Sequence, residues 1–151
     1  MSISAIKPKG CTNFKLRKLM RRVAQHYDTE MNKIGLKTTQ YSLLSHVLNL
    51  GPLRPGELAQ AMGMDASTLT RNLRPLVDAG WIEVGAGMDA RSRTVTITDA
   101  GREKRLEAQR RWKVAQDDLN QLLGLDRVLA LHALIDDSLE LFSHPQGDDN
   151  E

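Results

Sequence analysis

Apolar residues recur along the first part of the chain at Leu16, Met20, Val23, Tyr27, Met31 and Ile34, spaced by four, three, four, four and three. A period of about 3.6 residues gathers them into one stripe, which predicts a helix over residues 12–34 with Gly35 as its breaker. A second helix, about 39–50, carries Tyr41, Leu43, Leu44, Val47, Leu48 and Leu50. It is apolar around most of its circumference and therefore central; Gly51-Pro52 ends it. Residues 55–62 read as a short helix with Pro55 at its first position, where a missing N–H costs nothing. Its core side is Leu58, Ala59 and Met62. After Gly63-Met64, Asp65 is a good cap for a helix over 66–79 that stops at Gly80. Its inward stripe is Leu69, Leu73, Leu76 and Val77.

The period then changes. Trp81-Ile82-Glu83-Val84 and Thr94-Val95-Thr96-Ile97 alternate and are rich in β-formers, which predicts a hairpin around the loop Gly85–Arg93. Thr98 caps the next helix and Asp99 suits its positive end. That helix runs to about Leu123 on Ala108, Trp112, Ala115, Leu119 and Leu122. Beyond Gly124, a last helix over 126–143 is expected to bury Val128, Leu131, Leu134, Ile135, Leu139 and Phe142. The order is α-α-α-α-β-β-α-α, a mainly α (α+β) fold. The two short helices across the Gly63 turn have the form of a helix-turn-helix.

With 151 residues and 40% hydrophobic content, the chain suffices for one domain over 1–151. No apolar run is long enough for a membrane span, and MSISAIKPKG lacks the apolar core of a signal peptide. One cysteine forms no internal disulfide, which suits the cytoplasm. A net charge of +2 excludes a polybasic protein, yet the charge is uneven. Lys7, Lys9, Lys15, Arg17, Lys18, Arg21 and Arg22 form a run without a carboxylate, and from Asp136 onward there are only acidic charges. The basic run is either a solvated helix face or a surface lying near a polyanion.

The most informative segment is the helix at 66–79. Around its core stripe lie Ser67, Thr68, Thr70, Arg71, Asn72 and Arg74. Exposed helices ordinarily favour Lys and Glu, which lose little rotamer entropy. Short hydroxyls, an Asn and two Arg suit duplex DNA better, because hydroxyls donate to phosphates and Arg reads guanine O6 and N7. No acidic residue between Ser67 and Arg74 repels the backbone. The plain alternative is a merely polar helix. Pro75 removes a hydrogen bond to the Arg71 carbonyl, which predicts a kink or widening there rather than an end, since the core stripe continues. The hairpin tip, Asp89-Ala90-Arg91-Ser92-Arg93, offers Arg91 to a minor groove with Asp89 to orient it. Its alternative is a solvated turn with an incidental ion pair.

These residues resemble the MarR family of winged helix-turn-helix regulators. The resemblance rests on Gly63-Met64-Asp65-Ala66-Ser67-Thr68-Leu69-Thr70-Arg71-Asn72-Leu73, then Leu76, Gly80-Trp81-Ile82, Asp89-x-Arg91 and Ile97-Thr98-x-x-Gly101. Gly35-Leu36, Gln40-Tyr41 and Leu43-Leu44 fit the same pattern, so it covers about residues 12–143. It implies a winged lobe over about 37–100 and dimerisation helices over about 11–35 and 101–144. It implies a homodimer binding a pseudo-palindromic double-stranded DNA operator, as a ligand-responsive repressor. Ser67, Thr68, Thr70, Arg71, Asn72 and Arg74 would face the major groove or its phosphates, with Asp89, Arg91 and Arg93 on the wing. Lys37 stands where the family usually has a capping Thr, leaving Thr38 as the alternative cap. The stripes of the helices at 12–34 and 98–123 independently favour a dimer, since one small lobe is not expected to cover both.

The family often binds aromatic or phenolic acids between stalk and lobe. His26, Tyr27, Tyr41 and Trp112 are candidate walls, each with core packing as its alternative. Cys11 opens a redox-sensing alternative, although it falls two residues before the family's sensing position, Asn13 here, and Arg17 stands where a tyrosine is expected. A winged helix acting only on proteins is a further alternative. His26, His46, His132 and His144 lack close metal-ligand spacing, so neither a metal nor another cofactor is expected. No phosphate loop or nucleophile motif points to an enzyme.

Overall fold

The computed structural model describes residues 7–86 and 93–143. Helix α1 (Thr12–Met31) continues into a 3-10 turn (Asn32–Ile34). Then follow α2 (Thr38–Leu50), α3 (Pro55–Met62), α4 (Ala66–Asp78), strands β1 (Ile82–Ala86) and β2 (Arg93–Ile97), α5 (Asp99–Leu123) and α6 (Leu125–Ser143). The first helix is thus a turn shorter than its stripe suggests. Ile34 stays in phase only through the tighter turn, which Gly35 closes at φ 71°.

The winged lobe is built around α2. Leu43, Leu44 and Val47 are fully buried against Leu58 of α3, Leu69 and Leu76 of α4, Ile82 of β1 and Val95 of β2. β1 and β2 pair antiparallel, from Ile82 opposite Ile97 to Ala86 opposite Arg93. Leu53 adds a one-residue bridge to Val95 through hydrogen bonds of 2.8 and 3.3 Å, pinning the α2–α3 connection to the wing. The strands run further than the alternating pattern predicts. Arg93 therefore belongs to β2, exposed opposite Ala86, and not to a loop. Asp89 and Arg91 lie outside the described residues.

Neither Lys37 nor Thr38 caps α2 with its side chain. The Lys37 N–H donates to Oε1 of Gln40 at 2.9 Å. Thr38 is the first helical residue, and its N–H (3.2 Å) and hydroxyl (2.7 Å) both donate to Oδ1 of Asp28 on α1. A carboxylate from another helix thus does the work expected of a local hydroxyl. Thr98 does cap α5: its Oγ1 accepts the Gly101 N–H at 3.0 Å and donates to the Gly80 carbonyl at 2.6 Å.

α5 lies along α1 and reaches α2, and this covers Ala108, Ala115 and Leu119 within the one chain. The expectation that its stripe stays uncovered is corrected except at Leu122, which is 72% exposed. The uncovered surface lies elsewhere. On α1 it is Phe14, Leu16, Leu19 and Met20; on α6 it includes Leu129, Leu134, Ile135, Leu139 and Phe142, the last 86% exposed. Of the residues expected to be buried on α6, only Val128 is buried in the single chain. Each of these two long helices leaves a row of large apolar side chains in water, a surface that ordinarily marks an interaction site.

Candidate nucleic-acid interface

The turn between α3 and α4 depends on Gly63, whose φ of 64° is left-handed and cheap only without a Cβ. Met64 N–H returns to the Ala59 carbonyl at 2.9 Å, closing α3, and Asp65 opens α4. Asp65 Oδ1 accepts the Thr68 N–H at 2.7 Å and the Ser67 hydroxyl at 2.9 Å. These bonds, that of the Thr68 N–H first, hold the Asp65 carboxyl below its usual range, with a smaller contribution from the charge of Arg71.

On α4 the buried positions Leu69, Leu73 and Leu76 fix the inner face against the core. Ser67, Arg71 and Arg74 fall opposite at spacings of four and three, with Thr70 beside them, all exposed. Both guanidinium groups are free of salt bridges within the described residues. Three expectations need adjustment. Asn72 sits at the edge of the core face and donates to Met64 Sδ at 3.6 Å, so it braces the turn instead of joining the outer row. Thr68 is half-buried and contributes its N–H to the cap. Val77, assigned to the core stripe, is 39% exposed. The hydroxyl of Thr70 donates to the Ala66 carbonyl at 2.9 Å and that of Ser67 to Asp65, so both must rotate before donating outward.

Pro75 lies inside a continuous α4. The helix does not stop there, and the Pro75 carbonyl accepts the Ala79 N–H at 3.0 Å. Gly80 and Trp81 then carry the chain into β1. Trp81 offers its carbonyl to the Thr98 N–H at 3.0 Å. A Cβ on Gly101 would lie 2.1 Å from that oxygen, so the start of α5 touches backbone at the root of the wing. This contact, which seats the start of α5 against the root of the wing, left no mark in the hydrophobic pattern beyond the glycine itself.

The other candidates distribute differently. Tyr41 is buried and packs on Trp112 with ring centroids 6.4 Å apart. Tyr27 is half-buried, its hydroxyl donating to Gln116, and burial raises its pKa. These three are packing residues. His26 lines an open cleft of about 340 Å³ between α1 and the end of α5, with Arg22, Thr29, Leu19 and Leu122. Cys11 is exposed just before α1. Lys7, Lys9 and the basic residues of α1 from Lys15 to Arg22 are all exposed. Among the described residues no His, Cys, Asp and Glu group forms a metal-binding cluster, and no helix is long and apolar enough to cross a membrane. His144 lies outside the described residues.

A model of the MarR family matches residues 34–92, from the last residue of the 3-10 turn to the residue before β2. An uncharacterized HTH-type transcriptional regulator of Bacillus subtilis (strain 168), YwoH, is 27% identical over 84 residues, 56% of this chain. That match spans 61% of YwoH, about three fifths of the curated relative's length. The transcriptional regulator MosR of M. tuberculosis, solved in complex with DNA, is 30% identical, with 87% of this chain and 97% of that one covered and a TM-score of 0.74. A mutant of MarR from E. coli complexed with operator DNA is 21% identical, with coverage of 84% and 92% and a TM-score of 0.77, a likeness of fold.

Proposed function

The chain belongs to the MarR family of transcriptional regulators, and from that premise we propose that it binds a pseudo-palindromic double-stranded DNA operator as a homodimer and represses transcription. One observation carries the reading. Arg71 and Arg74 stand on the solvent face of a capped helix, exposed, beside the hydroxyls of Ser67 and Thr70. A guanidinium presents a planar fork that matches guanine O6 and N7, and hydroxyls match phosphate oxygens. The DNA-bound state of MosR supports the same partner for this chain. In this reading Arg93, which is exposed on β2, meets backbone beside the groove, with Asp89 and Arg91 completing the wing contact.

The homodimer is supported by the uncovered apolar flanks of α1 and α6. Two-fold pairing presents two copies of α4 to half-sites about 34–36 Å apart. In this reading an aromatic or phenolic acid between stalk and lobe releases the operator, by binding the two lobe arrangements with different affinity.

The test is titration of the purified protein against a labelled duplex from its own upstream region, with excess random-sequence DNA as competitor. Saturable binding that survives the competitor is expected. Binding abolished by the competitor counts against that operator. An acidic protein partner that duplex DNA does not displace would instead favour a protein-interaction role.

A further inference from the structure

The chain crosses between the stalk (α1, α5, α6) and the winged lobe twice. It enters at Gly35–Lys37, directly after the 3-10 turn, and leaves at Thr98–Asp99, where α5 begins. One side chain lies between them, touching the residue before the first crossing and the corner that Thr98 bonds. Lys104, on the second turn of α5, donates from Nζ to the carbonyl of Ile34 at 2.6 Å. Its ammonium also lies 5.4 Å from the centroid of the Trp81 ring, at the corner between α4 and β1. Glu107 on the same helix follows at 3.4 Å.

The lysine side chain is only 18% exposed. A partly desolvated ammonium on a carbonyl and an aromatic face is held more firmly than a surface ion pair. The Trp81 corner is tied to α5, because Thr98 bonds the carbonyls of Gly80 and Trp81 and Gly101 packs directly against the Trp81 backbone. Lys104 joins this corner to the end of α1, where Arg111 of α5 also pairs with Glu30 at 3.7 Å. Asp28–Thr38 and Arg105–Ser45 (3.3 Å) fasten α2 to the stalk on either side.

We propose that Lys104 is a positioning residue: its bridge from Ile34 to the Trp81 corner sets the angle of lobe on stalk, and with it the half-site spacing that the dimer accepts. This rests on the dimeric DNA-binding reading above. In a two-fold dimer the separation of the two α4 helices follows from that angle at each neck. A loosened neck must therefore broaden the range of spacings bound while leaving the α4 surface unchanged. The contacts of Lys104 are with Ile34, Glu107 and Trp81, and none of these belongs to α4.

The probe is the duplex that wild-type protein selects from a random-sequence library, together with versions carrying one or two base pairs inserted or deleted at its centre. Wild type is expected to discriminate strongly between the selected and altered spacings. Lys104→Met, which keeps an unbranched apolar stem, is expected to lose about tenfold of that discrimination, the worth of one charged hydrogen bond. Lys104→Arg, which keeps charge, donor and stacking, is expected to restore most of it. In the free protein, nitroxide labels at Gln60→Cys in a Cys11→Ser background are expected to give a broader inter-protomer distance distribution for Lys104→Met. Thermal unfolding verifies that each variant folds, with Lys104→Gln as the second neutral variant.

A uniform loss of affinity at all spacings, or an unchanged distance distribution, would make Lys104 a structural contact and overturn the proposal. Wild-type protein that binds no duplex, or selects one without a two-fold repeat, would remove the underlying reading and the proposal with it. Wild-type dimers that bind every spacing equally would overturn only the positioning role.

Discussion

Gly101 and Asp65 show how much one position can carry. In an exposed helix, Gly→Ala ordinarily gains about 1 kcal/mol. At Gly101 the new Cβ would meet the Trp81 carbonyl at 2.1 Å and Ile97 Cγ1 at 2.8 Å, and backbone cannot swing aside as a side chain can. Gly101→Ala is therefore expected to destabilise by about 1–3 kcal/mol, as overpacking does; equilibrium denaturant unfolding measures the sign. Asp65 makes a pH prediction. Its folded-state pKa is depressed by the Thr68 N–H bond first, so its contribution is present above the unfolded carboxylate pKa. It is lost as pH falls through the lowered folded value. Asp65→Asn keeps a capping oxygen without the charge, so its deficit relative to wild type should be largest near neutrality and shrink in acid, in paired unfolding curves. Asp65 was legible because an Asp before an apolar periodic run is a local cap signal. Asp28 was not, because it serves a helix ten residues further on.

Among the elements, α4 was the most readable and the wing the least. The α4 stripe, cap and outer row all follow from neighbours within one or two turns. The exceptions are Thr68, Asn72 and Val77, whose environments depend on the cap, on the turn and on the width of the core face. Arg71→Ala is expected to lower specific DNA affinity at least tenfold, since one good Arg–guanine pair contributes about 1–3 kcal/mol. Non-specific affinity should fall much less; equal losses in titrations with operator and random duplex would assign Arg71 to a phosphate. The wing strands extended beyond their alternating pattern because pairing, not hydrophobicity, continues the ladder through Gly85–Thr94 and Ala86–Arg93. Such pairing depends on the facing strand across the hairpin, and alternation within either strand is silent about it.

For the whole molecule, the decisive quantity is apolar surface left in water. Leu139 is 60% exposed in one chain. If it stayed exposed, Leu139→Asp would change stability by no more than about 0.5 kcal/mol. In the proposed dimer it introduces a buried charge, so sedimentation equilibrium should show a shift toward monomer and operator affinity should drop. The net charge of +2 does not predict weak salt dependence, because DNA affinity responds to local contacts. Operator binding should fall with a log–log slope of about −0.9 per neutralised phosphate. A flat response would remove Arg71, Arg74 and Arg93 from the phosphate backbone.

Hydrophobic periodicity, caps and glycine breaks were enough to specify eight elements, their order and the polar face of α4. Each is a property of residues within a turn or two of one another, and short-range backbone geometry enforces it. Tertiary structure alone decided which stripe is covered. The stripe of α5 is satisfied by α1 and α2 of the same chain, while those of α6 and the first half of α1 are left open, although the patterns look alike in sequence. It also decided the capping of α2 by Asp28, the bridge from Leu53 to Val95 and the placement of Lys104 between Ile34 and Trp81. These join residues far apart in the chain, and their energies depend on geometry that exists only once the helices have packed.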